Sequence, residues 1–276
     1  MSTVESGPIA SPGTAAAESA SRERARSAGE SVLVVGATSG IARAVVDRLA
    51  ARGCKLILAA RDRDEVTRIR QDLRIRHGVD ACVEVFDAAD AAELGHFVGR
   101  CLKHAPDGLD GLVLAHGFMC DQEDAERDAA LARRMLVVNL ESATAILLHV
   151  AEHMVANGRG WIAGISSVAG DRGRGSNAIY GASKAGFTAL LSGMRARLRP
   201  RGVHVLTVKP GFVATAMTAG TLDPDSPMVA SPETVARDID RAIRRRRDVL
   251  YTPWFWRWIM MVIRLIPEPI FKRLSI

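Results

Sequence analysis

The chain has 276 residues, a length that suits one α/β domain with a tail, and 48% of its residues are hydrophobic, enough for a sizeable core. Its net charge is +6, but no basic stripe interleaves with aromatic residues outside the C-terminus, which argues against a nucleic-acid-binding protein. Four cysteines without a C-x-x-C pair indicate neither a zinc site nor a disulfide framework and favour a reducing cytoplasm.

The first 30 residues contain almost no large apolar side chains and are rich in Ser, Ala, Gly and Glu, a composition typical of disorder. Glu5 lies where a secretory signal would carry positive charge, and no continuous apolar run follows it. We therefore expect a disordered arm over residues 1–30, a main domain over residues 31–252 and an apolar tail over residues 253–276.

The main domain begins with a strand, a glycine turn and a helix. Ser31–Val35 is a valine-rich apolar run, typical of a strand buried on both faces, and from residue 41 apolar side chains recur at helical spacing. Such a turn aims backbone N–H groups and the positive end of a helix dipole at one point, where a pyrophosphate would bind. A plain tight turn between strand and helix explains the same residues. The candidate binding residues here are Gly36, Thr38, Ser39, Gly40 and Ile41.

Strands and helices then alternate along the chain. The predicted strands are 54–60, 81–86, 111–115, 160–166, 203–208 and 248–251, and the predicted helices are 62–77, 90–104, one or two within 124–157, 178–198 and one opening at 231–233. This alternation predicts a Rossmann-type doubly wound parallel sheet of about seven strands with helices on both faces. Ligands of such sheets bind at the carboxyl ends of the strands.

The residues after the second and third strands bear on the cofactor. Arg61 lies where an acidic residue would accept hydrogen bonds from the ribose of NAD, and an arginine there suits the 2′-phosphate of NADP instead. Asp87, followed by Ala88, would accept a hydrogen bond from the adenine amino group. Arg61 as a solvated helix-start residue and Asp87 as a helix cap are the alternatives.

The candidate catalytic residues are Ser167, Tyr180 and Lys184. Tyr180 and Lys184 are four residues apart on a predicted helix and therefore share a face. A free tyrosine has a pKa of about 10, and a nearby ammonium is expected to lower that pKa so that the pair can exchange a proton with a carbonyl or alcohol oxygen. Ser167, at the end of the fifth strand, would hold the substrate oxygen. The Y-x3-K pattern alone arises often by chance.

Together these motifs resemble the short-chain dehydrogenase/reductase family, from about residue 31 to residue 251. The resemblance implies hydride transfer with NADP(H), with Tyr180 as acid and base and Asn139 holding a proton-relay water near Lys184. It also implies a homo-oligomer, a dimer or a tetramer. The family's P-G-x-V-x-T segment, which contacts the nicotinamide carboxamide, falls on Pro210, Gly211, Val213 and Thr215.

One segment departs from the family pattern. The family's N-N-A-G after the fourth strand is here Leu114, Ala115, His116 and Gly117, so the asparagine side chains that brace the central strands are missing. Ala115 and Gly117 are still expected to line the cofactor site. His116 either contacts substrate or cofactor or is a satisfied loop histidine.

Two further patterns have structural explanations. His149 and His153, with Glu152, have a metal-compatible i,i+4 spacing, but they lie far from the expected cleft and favour a core or subunit-interface role, so we predict no metal site. The arginine run at 244–247 is interpreted first as a solvated helix end. Binding to an anionic membrane surface is the second interpretation, and binding to nucleic acid is the weakest.

The tail combines tryptophans with basic residues. Residues 254–266 are apolar except for Arg257 and Arg264, which lie on nearly one helical line. This run is shorter than the roughly 20 residues that span a bilayer, so it predicts a helix at the membrane interface that ends before Pro267 and Pro269. A substrate lid or a helix packed in the oligomer are the alternatives.

The tail and the altered N-N-A-G segment resemble one subgroup of the family, the reductases of decaprenylphosphoryl-2-keto-ribose in mycobacterial cell-wall arabinan synthesis. Residues 264–267 and 270–276 carry the likeness in the tail. It implies a lipid-linked keto sugar as substrate, a flavin oxidase as partner and a peripheral place at the inner face of the cell membrane. A soluble carbonyl or 3-oxoacyl reductase, or a non-catalytic NADP-binding regulator, are the alternative functions.

Overall fold

A computed structural model describes residues 29–218, 220, 223 and 226–274 of the chain. The predicted disordered arm lies outside these residues except for Gly29 and Glu30, and so do the last two residues of the tail. Glu30 belongs to the folded domain, since its backbone oxygen accepts a hydrogen bond of 2.8 Å from the amide of Lys55.

The seven predicted strands lie within a residue or two of their predicted bounds, and the two short strands at 212–213 and 229–230 were not predicted. They are β1 (Ser31–Val35), β2 (Lys55–Ala60), β3 (Cys82–Val85), β4 (Gly111–Leu114), β5 (Gly160–Ile165), β6 (Val203–Pro210), β7 (Phe212–Val213), β8 (Val229–Ala230) and β9 (Val249–Thr252). Seven of them form one parallel sheet in the order β3-β2-β1-β4-β5-β6-β9, which confirms the predicted fold class. The order reverses between β1 and β4, where doubly wound folds bind their ligands.

Helices cover both faces of this sheet. They are α1 (Gly40–Ala51), α2 (Arg63–His77), α3 (Leu94–Lys103), α4 (Gln122–Arg127), α5 (Ala129–Leu136), α6 (Ser142–Ala156), α7 (Ala178–Leu198), α8 (Pro232–Arg244), α9 (Trp256–Leu265) and α10 (Glu268–Phe271). One apolar core layer joins the sheet to α1, α2 and α8, and the other joins it to α3, α6 and α7. The inner strands β1, β2, β4 and β6 are almost wholly buried because both of their faces meet such a layer, whereas the edge strand β3 is only half-buried.

Two predicted helices are interrupted. The segment at 90–104 starts with a 3₁₀ turn at Ala91–Glu93, capped by the carboxylate of Asp90, before α3 begins. The segment at 124–157 contains α4, α5, a π-helical turn at Val137–Glu141 and α6. The extended backbone of Asp128 ends α4, and its side chain caps α5 by accepting a hydrogen bond from the amide of Ala130. A π turn shifts the register of the residues it contains, and these include Asn139.

The helical run 129–156 is long and apolar enough to span a membrane by length and composition alone. However, half of its most apolar window is buried inside the fold, because α6 packs on the sheet through residues such as Ile146 and Val150. It therefore has the character of a core helix.

Three smaller expectations concern the arginine run, the cysteines and the tail. The arginine run at 244–247 forms the exposed end of α8, and Arg244 contacts the carboxylate of Asp240 at 3.4 Å, so its first interpretation as a solvated helix end holds. The four cysteines are free thiols. In the tail, the helix is shorter than the predicted run and ends at Leu265, just before Pro267.

Candidate active site

A cavity of about 350 Å³ opens at the carboxyl ends of the parallel strands. Its wall contains every predicted cofactor-binding residue, together with the predicted catalytic residues Ser167, Tyr180 and Lys184. The predicted catalytic residue Asn139 lies behind the wall, and no described tail residue lines the cavity, so the lid interpretation of the tail is not supported. The structure thus brings the separate sequence motifs to one place, and their individual roles remain predictions.

The glycine turn after β1 forms one end of the cavity. Gly36 has a φ of +83°, and a Cβ atom there would lie 2.4 Å from the backbone nitrogen of His116, so only glycine fits. The Ser39 hydroxyl caps α1 by accepting a hydrogen bond of 3.2 Å from the amide of Ala42, and the first turn of α1 contains no acidic residue. An N-terminus of this kind, open to a cavity and free of competing carboxylates, fits a phosphate group.

Arg61 and Asp87 border the same end of the cavity. Helix α2 starts at Arg63 with Asp62 as its cap, so Arg61 directly precedes the cap and is exposed. Asp87 accepts a hydrogen bond of 3.0 Å from the amide of Ala89, whereas Asp90 caps the following turn, so the proposed helix cap at Asp87 is wrong in position. The second carboxylate oxygen of Asp87 has no protein partner among the described residues and can accept from a ligand.

Ser167, Tyr180 and Lys184 meet at the other end. Lys184 is 5% exposed, its amine donates a hydrogen bond of 3.1 Å to the carbonyl of Ile165, and the amine lies 5.7 Å from the centroid of the Tyr180 ring. The Ser167 hydroxyl accepts a hydrogen bond of 3.1 Å from the amide of Ala169, and Ser167 and Tyr180 both line this end of the cavity. Helix α7 begins at Ala178 and so carries both Tyr180 and Lys184 on its first two turns.

The pKa of Tyr180 moves in the direction opposite to the sequence-based expectation. Burial raises the pKa of Tyr180 to about 12, because the phenolate loses its hydration, and the polar side chain of Ser167 offsets this only in part. Burial also lowers the pKa of Lys184 to about 8. The expected lowering by Lys184 is wrong: burial dominates the pKa of Tyr180, and the Lys184 amine is directed at the carbonyl of Ile165 instead. At neutral pH the phenol therefore keeps its proton.

Asn139 braces the loop after β4. Its side-chain oxygen accepts a hydrogen bond of 2.7 Å from the amide of Phe118, and its side-chain nitrogen donates to the Phe118 carbonyl at 2.9 Å and to the Ser183 hydroxyl at 3.0 Å. A side chain 1% exposed thus completes both hydrogen bonds of one backbone unit, as a neighbouring strand would. This contact supplies bracing that the altered N-N-A-G segment had placed in doubt.

His116 occupies the altered segment and lines the cavity. Its Nε2 lies 3.0 Å from the Ser142 hydroxyl, which itself donates a proton to the carbonyl of Val138 at 2.9 Å. Ser142 must therefore accept from Nε2–H, which fixes the neutral tautomer. Burial and the charge of Lys184 lower the pKa of His116 to about 3, so the ring is neutral at physiological pH.

Several cavity residues were not predicted. The guanidinium of Arg134 lies 4.8 Å from the centroid of the Phe118 ring, and Met217 and Thr218 close the side near the loop after β6. Nothing in the sequence identifies them. An arginine on a polar helix, such as Arg134, is expected to face solvent, and a methionine in a loop, such as Met217, belongs to no helical or strand periodicity.

The histidine pair at 149 and 153 lies in a separate groove between α3 and α6. His153 accepts a hydrogen bond of 3.3 Å from the amide of Leu109, so it has a structural role at the edge of the core. Among residues 29–218, 220, 223 and 226–274, no cluster of His, Cys, Asp and Glu is arranged to hold a metal ion.

Comparison with known proteins adds the family. The short chain dehydrogenase family model matches residues 30–225. The chain is 36% identical over 244 residues to an uncharacterized oxidoreductase of Mycobacterium tuberculosis, covering 88% of this chain and 96% of that one. It is 34% identical over 219 residues to a protein of Streptomyces violaceoruber named as ketoacyl reductase 1 of the granaticin polyketide synthase, covering 79% of this chain and 75% of that one.

A solved structure repeats the same architecture. The short-chain dehydrogenase of Sphingobium yanoikuyae, solved in complex with NADPH, superposes with a TM-score of 0.73 at 26% identity, covering 87% of this chain and 97% of that one.

Proposed function

The chain belongs to the short-chain dehydrogenase family, and from this premise we propose that it reduces a ketone to an alcohol with NADPH as the hydride donor. The observation that carries the proposal is the convergence of Ser167, Tyr180 and Lys184 at one end of a cavity whose other end is the amino terminus of α1. A cofactor with a phosphate at one end and a hydride at the other fits between them.

Each residue then has a defined role. NADPH, when bound, supplies a hydride to the carbonyl carbon of the substrate. The Ser167 hydroxyl holds the carbonyl oxygen, and Tyr180 gives that oxygen its proton as the hydride arrives, so the carbonyl becomes a neutral alcohol. Lys184 stabilises the phenolate left on Tyr180 and holds a cofactor ribose hydroxyl. Asn139 keeps the loop around Gly117 and Phe118 in place and holds the water that returns the proton.

The protonated phenol favours the reductive direction. With its pKa raised to about 12, Tyr180 is an acid and not a base at pH 7, so proton donation requires no prior ionisation. Oxidation of the alcohol needs the phenolate and becomes competitive only as the pH rises.

We expect the pH dependence of reduction to report Lys184. Its pKa of about 8 predicts that kcat/KM for the ketone is flat between pH 6 and 7, below this value, and falls above about pH 8 as the ammonium loses its proton. His116, which faces Lys184, has a pKa lowered to about 3 and stays neutral throughout this range. Initial rates of NADPH oxidation across this range measure the profile.

Lys184→Arg is the control for this profile. A guanidinium keeps its charge to about pH 12, so the variant is expected to be slower but to lose the bend near pH 8. If the bend persists in Lys184→Arg, another group titrates there and the assignment to Lys184 is wrong.

The preference for NADPH rests on Arg61. We expect Arg61→Ala to raise the KM for NADPH by about tenfold, since one charge-assisted contact to the 2′-phosphate is lost, and to leave the KM for NADH within twofold. Arg63→Ala is the matched control, because Arg63 is two residues away and does not line the cavity. Equal or better catalytic efficiency of the wild-type protein with NADH would exclude NADP as the cofactor.

We propose a lipid-linked ketone as the substrate, of the polyprenyl-phosphoryl 2-keto sugar class, with a flavin oxidase as the partner that forms the ketone in cell-wall or glycolipid biosynthesis. The tail and the segment from Leu114 to Gly117 support this through their resemblance to that subgroup. The similarity to a ketoacyl reductase supports the second candidate, a soluble carbonyl or 3-oxoacyl reductase. NADPH oxidation with lipid-linked keto sugars, acyl ketones and simple ketones, with detergent present, separates the two.

The proposal also assigns the parts of the chain. Residues 31–252, joined at their start by Glu30, form the NADP-binding catalytic domain, the residues before them an arm, and residues 253–276 a tail at the membrane interface. The protein is a cytoplasmic homo-oligomer held peripherally at the inner face of the membrane. A non-catalytic NADP-binding regulator would bind NADPH and reduce none of the ketones above.

A further inference from the structure

Helix α9 has one face that the fold already uses. Trp256 and Met260 are 3% and 0% exposed, and with Ile259 and Ile263 they pack against Val168, at the end of β5. Trp256 also lies directly against Gly211, where a Cβ atom would come within 1.9 Å of the indole nitrogen. This face holds the helix beside the two segments that border the cavity.

The opposite face of α9 is apolar as well. We call Trp258, Met261, Val262 and Leu265 the outer stripe, and their spacing of i, i+3, i+4 and i+7 places them on one side of the helix. They are between 47% and 75% exposed, and Trp254, in the turn before the helix, is 71% exposed. A helix face that meets only water carries polar residues, so a second apolar face indicates a second partner.

The helix cannot turn to bury the outer stripe in its own domain. The guanidinium of Arg172 donates hydrogen bonds to the carbonyls of Ile263 and Ile266, at 3.1 and 2.7 Å, which fixes the carboxyl end of α9. The same side chain contacts the Glu268 carboxylate at 2.7 Å and lies 3.9 Å from the centroid of the Phe271 ring. The outer stripe therefore keeps a set direction relative to the cavity.

Charge along this segment is of one sign. Arg257 and Arg264 lie about 100° around the helix from the centre of the outer stripe, both on the same border. Lys272 and Arg273 follow α10 and are exposed. Glu268 is the one acidic residue between positions 253 and 274 of the sequence, and Arg172 already pairs with it.

We infer that the outer stripe of α9, with its arginine border, binds the surface of an anionic lipid bilayer. Exposed tryptophans prefer the boundary between headgroups and acyl chains, and arginines beside them reach the lipid phosphates while their stems stay in apolar surroundings. A second copy of the chain is a poorer partner, because a twofold interface would bring the same basic border together with no free carboxylate of this segment to pair with it. Since Val168 and Gly211 adjoin the inner face of α9, docking also places the cavity close to the bilayer.

The inference rests on the proposed function only for its peripheral location, and its test does not depend on turnover. The full chain is mixed with vesicles of phosphatidylcholine alone or with about 30 mol % phosphatidylglycerol, and flotation gives the bound fraction. We expect binding to the anionic vesicles, weakened by salt, and little binding to the neutral ones. Arg257→Gln with Arg264→Gln is expected to remove the preference for anionic lipid.

Removal of the outer stripe is the decisive variant. Trp258→Ser with Val262→Ser and Leu265→Ser is expected to lower vesicle partitioning at least about tenfold, since three apolar side chains no longer enter the interface. Ile75→Ser is the matched control, because Ile75 is 84% exposed on the remote helix α2 and its loss should leave partitioning unchanged. Reduction of a water-soluble ketone, or NADPH binding if no turnover is found, shows that both variants are folded.

Two outcomes would overturn the inference. One is equal flotation of the wild-type protein and the triple variant. The other is a wild-type protein that binds neither vesicle while the triple variant has a smaller mass by sedimentation, which would make the stripe an interface between copies of the chain.

Discussion

Tyr180→Phe is expected to lower kcat for ketone reduction by about three orders of magnitude, while the Kd for NADPH changes less than twofold. The reason is that the substitution removes the hydroxyl that we propose as the proton donor to the carbonyl oxygen held by Ser167, and a general acid contributes roughly 10²–10⁴ in rate. Single-turnover oxidation of NADPH measures the rate, and quenching of protein fluorescence by NADPH measures the binding.

The chain contains a matched control for this variant, because it has two tyrosines. The hydroxyl of Tyr251 donates a hydrogen bond of 2.8 Å to Asp171, outside the cavity wall. Tyr251→Phe should lose about 1 kcal/mol of stability and keep kcat within a few-fold. If Tyr180→Phe keeps its turnover, Tyr180 is not the general acid. If this variant loses NADPH binding, the substitution has disturbed the structure of the site.

The fold was accessible from the sequence because the signals are local. A strand buried on both faces needs an unbroken apolar run, and a helix on a sheet needs apolar residues at helical spacing, so the seven-stranded sheet could be predicted from segments such as Ser31–Val35. Element ends were less certain. Asp128 separates α4 from α5 through a side-chain cap, and the π turn at Val137–Glu141 arises from packing that a single segment does not encode.

The place of the cavity could be predicted from the sequence for a similar reason. Carboxyl ends of parallel strands meet at one edge, so residues that follow the strands must approach one another, and the residues singled out at those ends do line one cavity. The pKa of Tyr180 could not be predicted in this way. The spacing of Tyr180 and Lys184 indicates proximity, but the balance between an ammonium and lost hydration depends on burial, which only the assembled structure provides.

The long-range polar contacts could not be predicted from the sequence either. Lys209, at the end of β6, forms an ion pair with Asp171 in the loop after β5, and Tyr251 of β9 bonds to the same carboxylate. The two residues of each contact are 38 and 80 positions apart in the sequence, and no motif near either residue indicates its partner. Together with Arg172 they join the loop that follows Ser167 to the tail, so the position of α9 and the position of Ser167 depend on one another.

The turn at Gly36 should be the most sensitive backbone position of the cofactor site. Gly36→Ala is expected to destabilise the protein by at least about 3 kcal/mol, a fall in Tm of roughly 6–12 °C, and to abolish NADPH binding. Two causes add together: alanine rarely adopts a φ of +83°, and its Cβ atom would lie 2.4 Å from the amide nitrogen and 2.6 Å from the Cα of His116.

Gly78→Ala separates these two causes. Gly78 has a φ of +70° at the end of α2, but nothing lies within 4 Å of an added Cβ atom, so only the backbone strain of about 1 kcal/mol is expected, or roughly 2–4 °C in Tm. Thermal unfolding followed by circular dichroism, with and without NADPH, measures both variants. A much larger fall in Tm for Gly36→Ala than for Gly78→Ala would show that the close approach of His116 requires glycine at position 36. Equal falls in Tm would show that backbone strain alone explains this glycine.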